Sequence, residues 1–412
     1  MPKKFYSSTE EFLKVFSSSD YHDETILLKG ARPFGFEKIG KILQQKLHET
    51  VLEINLNALV HNLNYYRARL KPSTKIMAMV KATSYGSGSF EIANVLQFHH
   101  VDALAVAYAD EGVELRQHGI TLPVMVMNPD SQNFDAMIRN QLDPEIYSFR
   151  LLNQFHESLH RLGHEPVPVH IKLDTGMHRL GFQKHEINEL IVRLKNHKNI
   201  QVQSVFSHLA ASDESEHDGF TRYQIEQFEQ MSRAIMQAFS YPIERHILNS
   251  SGILRFSEAQ YDMVRLGIGL YGVAATSSEQ QQLQQVATLR TTISQIKNVS
   301  ANETVGYSRF GKLRRDSIIA IVAIGYADGI SRRMGNGVGK MLVNGKAAPL
   351  IGNVCMDMCM LDITDIPAKE GDEVLVFGPE YPVTEMAKNV GTIPYEVLTG
   401  ISQRVKRIYF QE

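Results

Sequence analysis

The chain has 412 residues, with 43 Lys+Arg against 45 Asp+Glu, a formal net charge of −2 and 43% hydrophobic residues. It is too long for one ordinary core, so two domains are expected, and a near-neutral chain without a polybasic arm or acidic tail is a poor partner for nucleic acid. The two cysteines, Cys355 and Cys359, exclude a disulfide framework and fit a reduced, cytoplasmic setting. No His or Cys gathers beside them to hold a metal, and no run is long enough for a membrane span or a signal-peptide core.

Residues 1–49 differ in texture from the rest of the chain. They are polar around Lys3-Lys4 and Ser17-Ser18-Ser19-Asp20, then read as one strand and turn over 25–32 and one helix over 36–47. A piece of that size cannot bury a core of its own. A short strand comes next at 51–55, and 56–70 carries apolar residues at helical spacing. Eight runs then alternate with helix-length segments, at 75–80, 103–107, 123–127, 145–149, 169–173, 202–207, 245–248 and 263–266. Most are continuously apolar, which argues a parallel sheet covered on both faces. The expected fold is α/β, a (β/α)8 TIM-like barrel over 50–285, with an open doubly wound sheet as the alternative. Beyond about residue 286, short strands at 288–299, 318–324, 340–343, 359–363 and 373–377 alternate with Gly, Pro and Asn turns. A C-terminal β-rich domain is expected over 286–412, with short helices at 385–390 and 394–398.

A barrel puts its chemistry at the C-terminal ends of its strands. The polar residues there are Lys81, Lys172, Asp174, His208, Asn249, Ser250 and Arg265. Lys81 ends the apolar run 76–80 and opens a loop of small residues, Ala82-Thr83-Ser84-Tyr85-Gly86. Burial there lowers an amine's pKa and makes it a nucleophile, although a lysine stem can equally lie along a strand with its head in water. Asn249-Ser250-Ser251-Gly252 and Gly267-Ile268-Gly269 come after strands seven and eight, a usual phosphate position, and either could be a tight turn. Arg265 sits in an apolar strand and needs a partner. Gly335-Asn336-Gly337-Val338-Gly339-Lys340 looks like a phosphate loop, but Met341 comes after the lysine and the spacing is wrong, so it reads as a surface loop.

The Lys81 loop resembles the cofactor-lysine motif of the alanine racemases, which use pyridoxal phosphate (PLP). The resemblance runs from about residue 50 to the end. It covers Lys172-Leu173-Asp174-Thr175-Gly176-Met177-His178-Arg179, Val264-Arg265-Leu266-Gly267-Ile268, Val305-Gly306-Tyr307 and Cys355-Met356-Asp357. It implies an isomerase that interconverts L- and D-alanine for peptidoglycan, with Lys81 and Tyr307 as the two bases on opposite faces of Cα. Cofactor binding is implied for Tyr85, His208, Asn249, Ser250, Arg265, Gly267, Ile268 and Tyr395. Arg265 faces the ring nitrogen, and as an always-protonated donor it leaves that nitrogen unprotonated. Arg179, Met356, Asp357 and Tyr326 are implied at the substrate, and Lys172 matches a lysine that is often carbamylated. The usual small residue before Arg179 is His178 in this chain. Tyr307, Met356 and Asp357 would serve the partner's site, so a homodimer is implied. A broad-specificity or serine racemase, a decarboxylase of this fold and a non-enzymatic PLP-carrying barrel are the other readings. Ile26-Leu27-Leu28-Lys29-Gly30-Ala31-Arg32 and the helix behind it resemble the end of the UDP-N-acetylmuramoyl-tripeptide–D-alanyl-D-alanine ligase. Residues 1–49 thus read as the remnant of a ligase–racemase fusion, or else as a family-specific extension.

Overall fold

A computed structural model describes residues 4–17, 26, 28–30, 34–36, 38–39, 50–163 and 166–411. Residues 1–49 and 50–412 are separate compact units. In the first, a helix spans Thr9–Val15, N-capped by the Ser8 side chain, which accepts from Glu11 N at 3.1 Å. The strand expected over 25–32 and the helix over 36–47 lie largely outside the described residues.

The second unit holds two eight-stranded sheets. Strand β1 (Val51–Asn55) precedes β2 (Lys75–Met79), β3 (Ala103–Val106), β4 (Val124–Val126) and β5 (Asp143–Ile146). Next come β6 (Val167–Lys172), β7 (Ile200–Phe206), β8 (Glu244–His246) and β9 (Met263–Leu266). Strands β2 to β9 pair in parallel in the order β8-β7-β6-β5-β4-β3-β2-β9. The ends of that order meet where Arg265 N donates to Leu248 O at 2.9 Å, so the sheet nearly closes into the expected barrel. All eight expected strands are present, with the fourth starting two residues earlier than expected, at Asp143. Helices such as Phe149–Leu162 and Asp218–Gln237 bury one apolar stripe each against its outer face.

The barrel interior is not uniformly apolar. Cross-strand partners Glu145 and His170, His170 and Ser204, Lys172 and Phe206, and Phe206 and His246 share one face by register. Glu145, His170, Lys172, Ser204 and His246 are all buried. One side of the barrel is therefore filled by hydrogen-bonding groups rather than by aliphatic layers.

The second sheet uses β10 (Ala287–Val299), β11 (Thr304–Val305), β12 (Gly311–Lys312), β13 (Ser317–Val322) and β14 (Lys340–Val343) with β15 (Lys346–Pro349), β16 (Cys359–Asp362), β17 (Glu373–Phe377) and β18 (Lys406–Phe410); β11 and β12 form a separate hairpin. It runs β15-β14-β17-β10-β1-β18, and β13 and β16 extend it from β10 past a bulge between Ile293 and Gln295. β1 pairs antiparallel with β10 and parallel with β18, so the strand that opens the unit belongs to this sheet and not to the barrel. The Gly335–Lys340 stretch is a turn leading into β14, and the Lys340 amine pairs with Glu385 at 2.7 Å. Among the described residues no helix is long and apolar enough to cross a membrane.

Candidate active site

Lys81 leaves the C-terminal end of β2 into a turn of left-handed backbone. Ala82, Thr83 and Ser84 have φ of 51°, 52° and 49° with ψ near the same values, and Tyr85 has φ 54°. This is one left-handed helical turn of non-glycine residues, where a simple loop was expected. Each such residue costs roughly 1–2 kcal/mol, and a β-branched Thr83 is the least suited of them. The surroundings hold it in place. Glu111 Oε1 accepts from Ala82 N at 2.6 Å, while its Oε2 accepts from Ala107 N at 2.7 Å. Gly86 (φ 81°) closes the turn against the Leu398 carbonyl, and Arg407 Nε donates to Gly86 O at 3.0 Å. Glu111 carried no sequence signal beyond its place in a helix. It became a partner of the turn only on folding.

Burial lowers the Lys81 pKa, and the Arg179 cation lowers it further. Arg179 itself is exposed, just past β6. His178 before it has φ 55° and caps a loop in which Asp174 Oδ1 accepts from the amides of Gly176 and His178, both at 3.0 Å. The His178 ring lies 3.2 Å from Asp174 Oδ2. A histidine tolerates this left-handed position better than most side chains and gains a carboxylate contact there, which accounts for the missing small residue.

Lys172, 5% exposed, lies with its amine 4.2 Å from the centre of the Phe206 ring. Burial pushes its pKa down to about 8. The neighbouring Glu145 carboxyl is buried, its Oε2 has no hydrogen-bond partner, and burial raises its pKa.

Arg265 is buried, and the Glu145 carboxyl supports its charge. Its Nη1 donates to His246 Nδ1 at 2.8 Å and to His246 O at 3.2 Å. Its Nη2 donates to Ser207 O at 2.6 Å and Ile247 O at 3.1 Å, and lies 3.2 Å from His208 Nδ1. Nε takes part in none of these bonds. Burial first, and then Arg265, hold both His208 and His246 far below the usual histidine pKa, so both rings are neutral. Each then accepts at Nδ1 and carries its proton on Nε2. His246 was not singled out from sequence. It sits in the run Glu244-Arg245-His246, whose alternation shows only once the strand is known.

Ser250 Oγ accepts from the amides of Gly267 and Gly269, at 3.0 and 3.2 Å. Asn249 Oδ1 accepts from Gly252 N at 2.9 Å and from Ser212 Oγ at 2.8 Å. Tyr85 is buried beside them. A Cβ built on Gly267 would lie 3.0 Å from its hydroxyl, and its ring lies 4.8 Å from Tyr271 and 5.8 Å from Tyr395. These residues, with Ile268 between the two glycines, form one small-residue cradle at the barrel mouth.

The remaining candidates stand apart from this cluster within one chain. Tyr307 is 71% exposed, on a turn where Ser308 and Arg309 have φ of 56° and 55°. Met356 and Tyr326 are also exposed, and Asp357 pairs with Arg404 Nη2 at 2.8 Å. Arg404 Nε reaches Asp328 at 2.7 Å.

The chain matches two family models, "Alanine racemase, N-terminal domain" over residues 54–275 and "Alanine racemase, C-terminal domain" over 286–409. It is 36% identical over 374 residues to alanine racemase 2 of Caldanaerobacter subterraneus subsp. tengcongensis, covering 88% of this chain and 95% of that one. Its structure is similar to that of alanine racemase from Clostridium difficile 630, with a TM-score of 0.83 and 36% identity over 88% of this chain and 96% of that chain. It is also similar to alanine racemase from Bartonella henselae with covalently bound pyridoxal phosphate, with a TM-score of 0.80 and 28% identity over 88% of this chain and 99% of that chain.

Proposed function

Because the chain belongs to the alanine racemase family, we propose that it interconverts L- and D-alanine with PLP, supplying D-alanine for peptidoglycan in the cytoplasm. The observation that carries this reading is the Lys81 amine, held on a left-handed turn at the barrel mouth, its pKa lowered by burial and by Arg179. The residues present fit the cofactor. The small-residue cradle of Ser250, Gly267 and Ile268, closed by Tyr85 and Tyr395, suits a phosphate, with Asn249 holding the turn. Arg265 keeps Nε for a ring nitrogen, and a donor that never loses its proton leaves that nitrogen unprotonated. His208 fixes the guanidinium from the neighbouring strand. When bound, PLP would supply an aldehyde for the substrate nitrogen and an electron-accepting ring that acidifies the Cα–H.

The protein's own residues then move the proton. Lys81, released as a free amine, takes or returns it on one face, and the phenolic oxygen of Tyr307 serves the other. Each positioned base contributes roughly 10²–10⁴ in rate. Arg179 and the Met356 amide bind the substrate carboxylate. Tyr326 and Tyr395 limit side-chain size at the entrance, and Asp357 is held there by Arg404. Tyr307 is far too exposed to serve its own barrel, so the reading requires a homodimer in which it enters the partner's site. The exposure of Tyr307, Phe310, Met356 and Met358 together supports such a surface. Lys172, with a pKa near 8, offers enough neutral amine to add CO₂, and the resulting carbamate would attract Arg179. A carbamate resonance in ¹³C NMR after equilibration with labelled bicarbonate is expected, and Lys172→Ala should remove it. We also infer domains at 1–49, 50–285 and 286–412, the first a ligase-derived remnant and the second lending its opening strand β1 to the sheet of the third. The family matches begin at residue 54, which supports that division.

The test of the activity is Cα hydrogen exchange in D₂O with chiral analysis across a panel of L-amino acids. Inversion of alanine far above serine, lysine and arginine is expected. Comparable inversion across the panel would make this a broad-specificity racemase. No exchange with PLP bound would sink the enzyme reading in favour of a carrier protein.

A further inference from the structure

A chain of hydrogen bonds continues from Arg265 down the inside of the barrel, away from the mouth. His246 Nε2 lies 2.8 Å from Ser204 Oγ, which lies 2.7 Å from His170 Nδ1. His170 Nε2 lies 3.7 Å from Asp143 Oδ2, a charge contact rather than a hydrogen bond. His170, Ser204 and His246 are 4%, 0% and 0% exposed, so the bonds that join them are shielded from bulk solvent. Asp143 and His170 also line a cavity of about 220 Å³ with Pro168, Gln203 and Met263, at the N-terminal ends of the strands.

The guanidinium sets the first link of this chain, and burial of the Ser204 hydroxyl sets the next. A guanidinium only donates, so His246 Nδ1 must accept from it. A neutral imidazole has one proton, so His246 carries it on Nε2 and donates to Ser204 Oγ. That hydroxyl is fully buried and its side-chain bonds are to these two rings, so its own proton goes to His170 Nδ1. His170 then carries its proton on Nε2, facing the Asp143 carboxylate. The opposite polarity would aim an N–H of His246 at Arg265 and is repulsive. Burial and the adjacent Arg265 oppose a second proton on His246.

We propose that Asp143, His170 and Ser204 are positioning residues for Arg265: they lock His246 in its Nε2–H tautomer and so hold the guanidinium with Nε directed to the cofactor ring nitrogen. The proposal rests on the reading that Arg265 meets that nitrogen. Glu145 is the carboxyl whose charge supports the buried Arg265 cation, and the relay ends at a second one, Asp143. Losing Ser204 leaves the buried His246 Nε2–H without an acceptor; turning the ring or moving that proton to Nδ1 relieves this, and either breaks the Arg265 contact and shifts the guanidinium off its alignment. The ring then captures electron density differently, and protonation away from Cα, leading to transamination, competes better with racemisation.

The test compares the holoenzyme with Ser204→Ala, Asp143→Leu and Asp143→Asn. Histidine tautomers are read by ¹⁵N NMR of ¹⁵N-histidine-labelled protein, and racemisation turnovers per transamination event are counted from the conversion of bound cofactor to its pyridoxamine form. We expect Nε2–H tautomers at His246 and His170 in the parent. In Ser204→Ala and Asp143→Leu the His246 resonances should shift toward the other tautomer, and turnovers per transamination should fall about tenfold or more, a change of roughly 1.4 kcal/mol in partition. Asp143→Asn keeps an acceptor for His170 and should behave as the parent. An Nδ1–H tautomer at His246 in the parent, or an unchanged tautomer and partition in Ser204→Ala, would overturn the proposal. A shifted tautomer with an unchanged partition, also in Arg265→Lys, would overturn it through the Arg265 assignment on which it rests.

Discussion

Lys81 and Tyr307 illustrate how the same amino-acid chemistry depends on its place. Lys81 is a surface-type residue whose pKa is lowered by burial and a neighbouring arginine. Replacing it with Ala should abolish the visible absorbance of covalently held PLP; an unchanged spectrum would refute its assignment. Tyr307→Phe should lower kcat by roughly 10²–10⁴ while PLP still binds, because only a proton-transferring oxygen is removed. Cofactor loss in that variant would make Tyr307 a structural residue instead. The histidines set a pH dependence of stability. His208 and His246 are neutral in the folded protein, with pKa values far below the usual one. The unfolded chain therefore binds more protons as pH falls through about 6.5, and stability is lost toward acid. Each contributes up to about 1.4 kcal/mol per pH unit below that point. Denaturant midpoints of the apoprotein measured between pH 7.5 and 5 should fall; a rise over that range would contradict their neutrality.

At the scale of elements, the turn after β2 is the most constrained piece of the fold. Four successive non-glycine residues in left-handed backbone do not persist by local preference. They are held by Glu111 from one βα unit, and by Arg407 and the Leu398 carbonyl from the C-terminal region. Gly86 is where that support is closest, since a Cβ there would lie 2.2 Å from Leu398 O. Gly86→Ala should therefore destabilise by about 2–4 kcal/mol and weaken PLP binding, read as a lowered unfolding midpoint and a raised Kd for the cofactor. Wild-type stability in that variant would mean the turn is not clamped by the C-terminal region.

For the whole molecule, the proposed reading takes its two bases from different subunits of a homodimer. Lys81→Ala and Tyr307→Phe homodimers should each be nearly inactive. Mixed and allowed to exchange subunits, they should regain activity, because one site of each mixed dimer then holds both bases. Failure to regain any activity, with exchange verified by a mass tag, would mean that Tyr307 does not cross the interface. Phe310→Lys should weaken the dimer and make specific activity depend on protein concentration, monitored by sedimentation alongside the assay.

The barrel and the β-rich region were legible in the residues alone. Apolar periodicity and turn chemistry are local properties, and eight buried runs with helix-length spacers have few ways to close. Lys81 and Arg265 stand out in the sequence as charged groups at the ends of apolar runs, whereas Arg179 and Tyr307 are marked only by the motifs they resemble. Other features needed the tertiary structure. The sequence assigns no sheet to β1, because pairing with β10 and β18 joins residues more than 200 positions apart. It hides the left-handed turn, whose conformation is set by Glu111, Leu398 and Arg407 and not by Ala82 or Thr83 themselves. It hides the polar interior as well. His170, Ser204 and His246 lie on three different strands, each ordinary in its own run, and only parallel register brings them into one hydrogen-bonded line beneath Arg265.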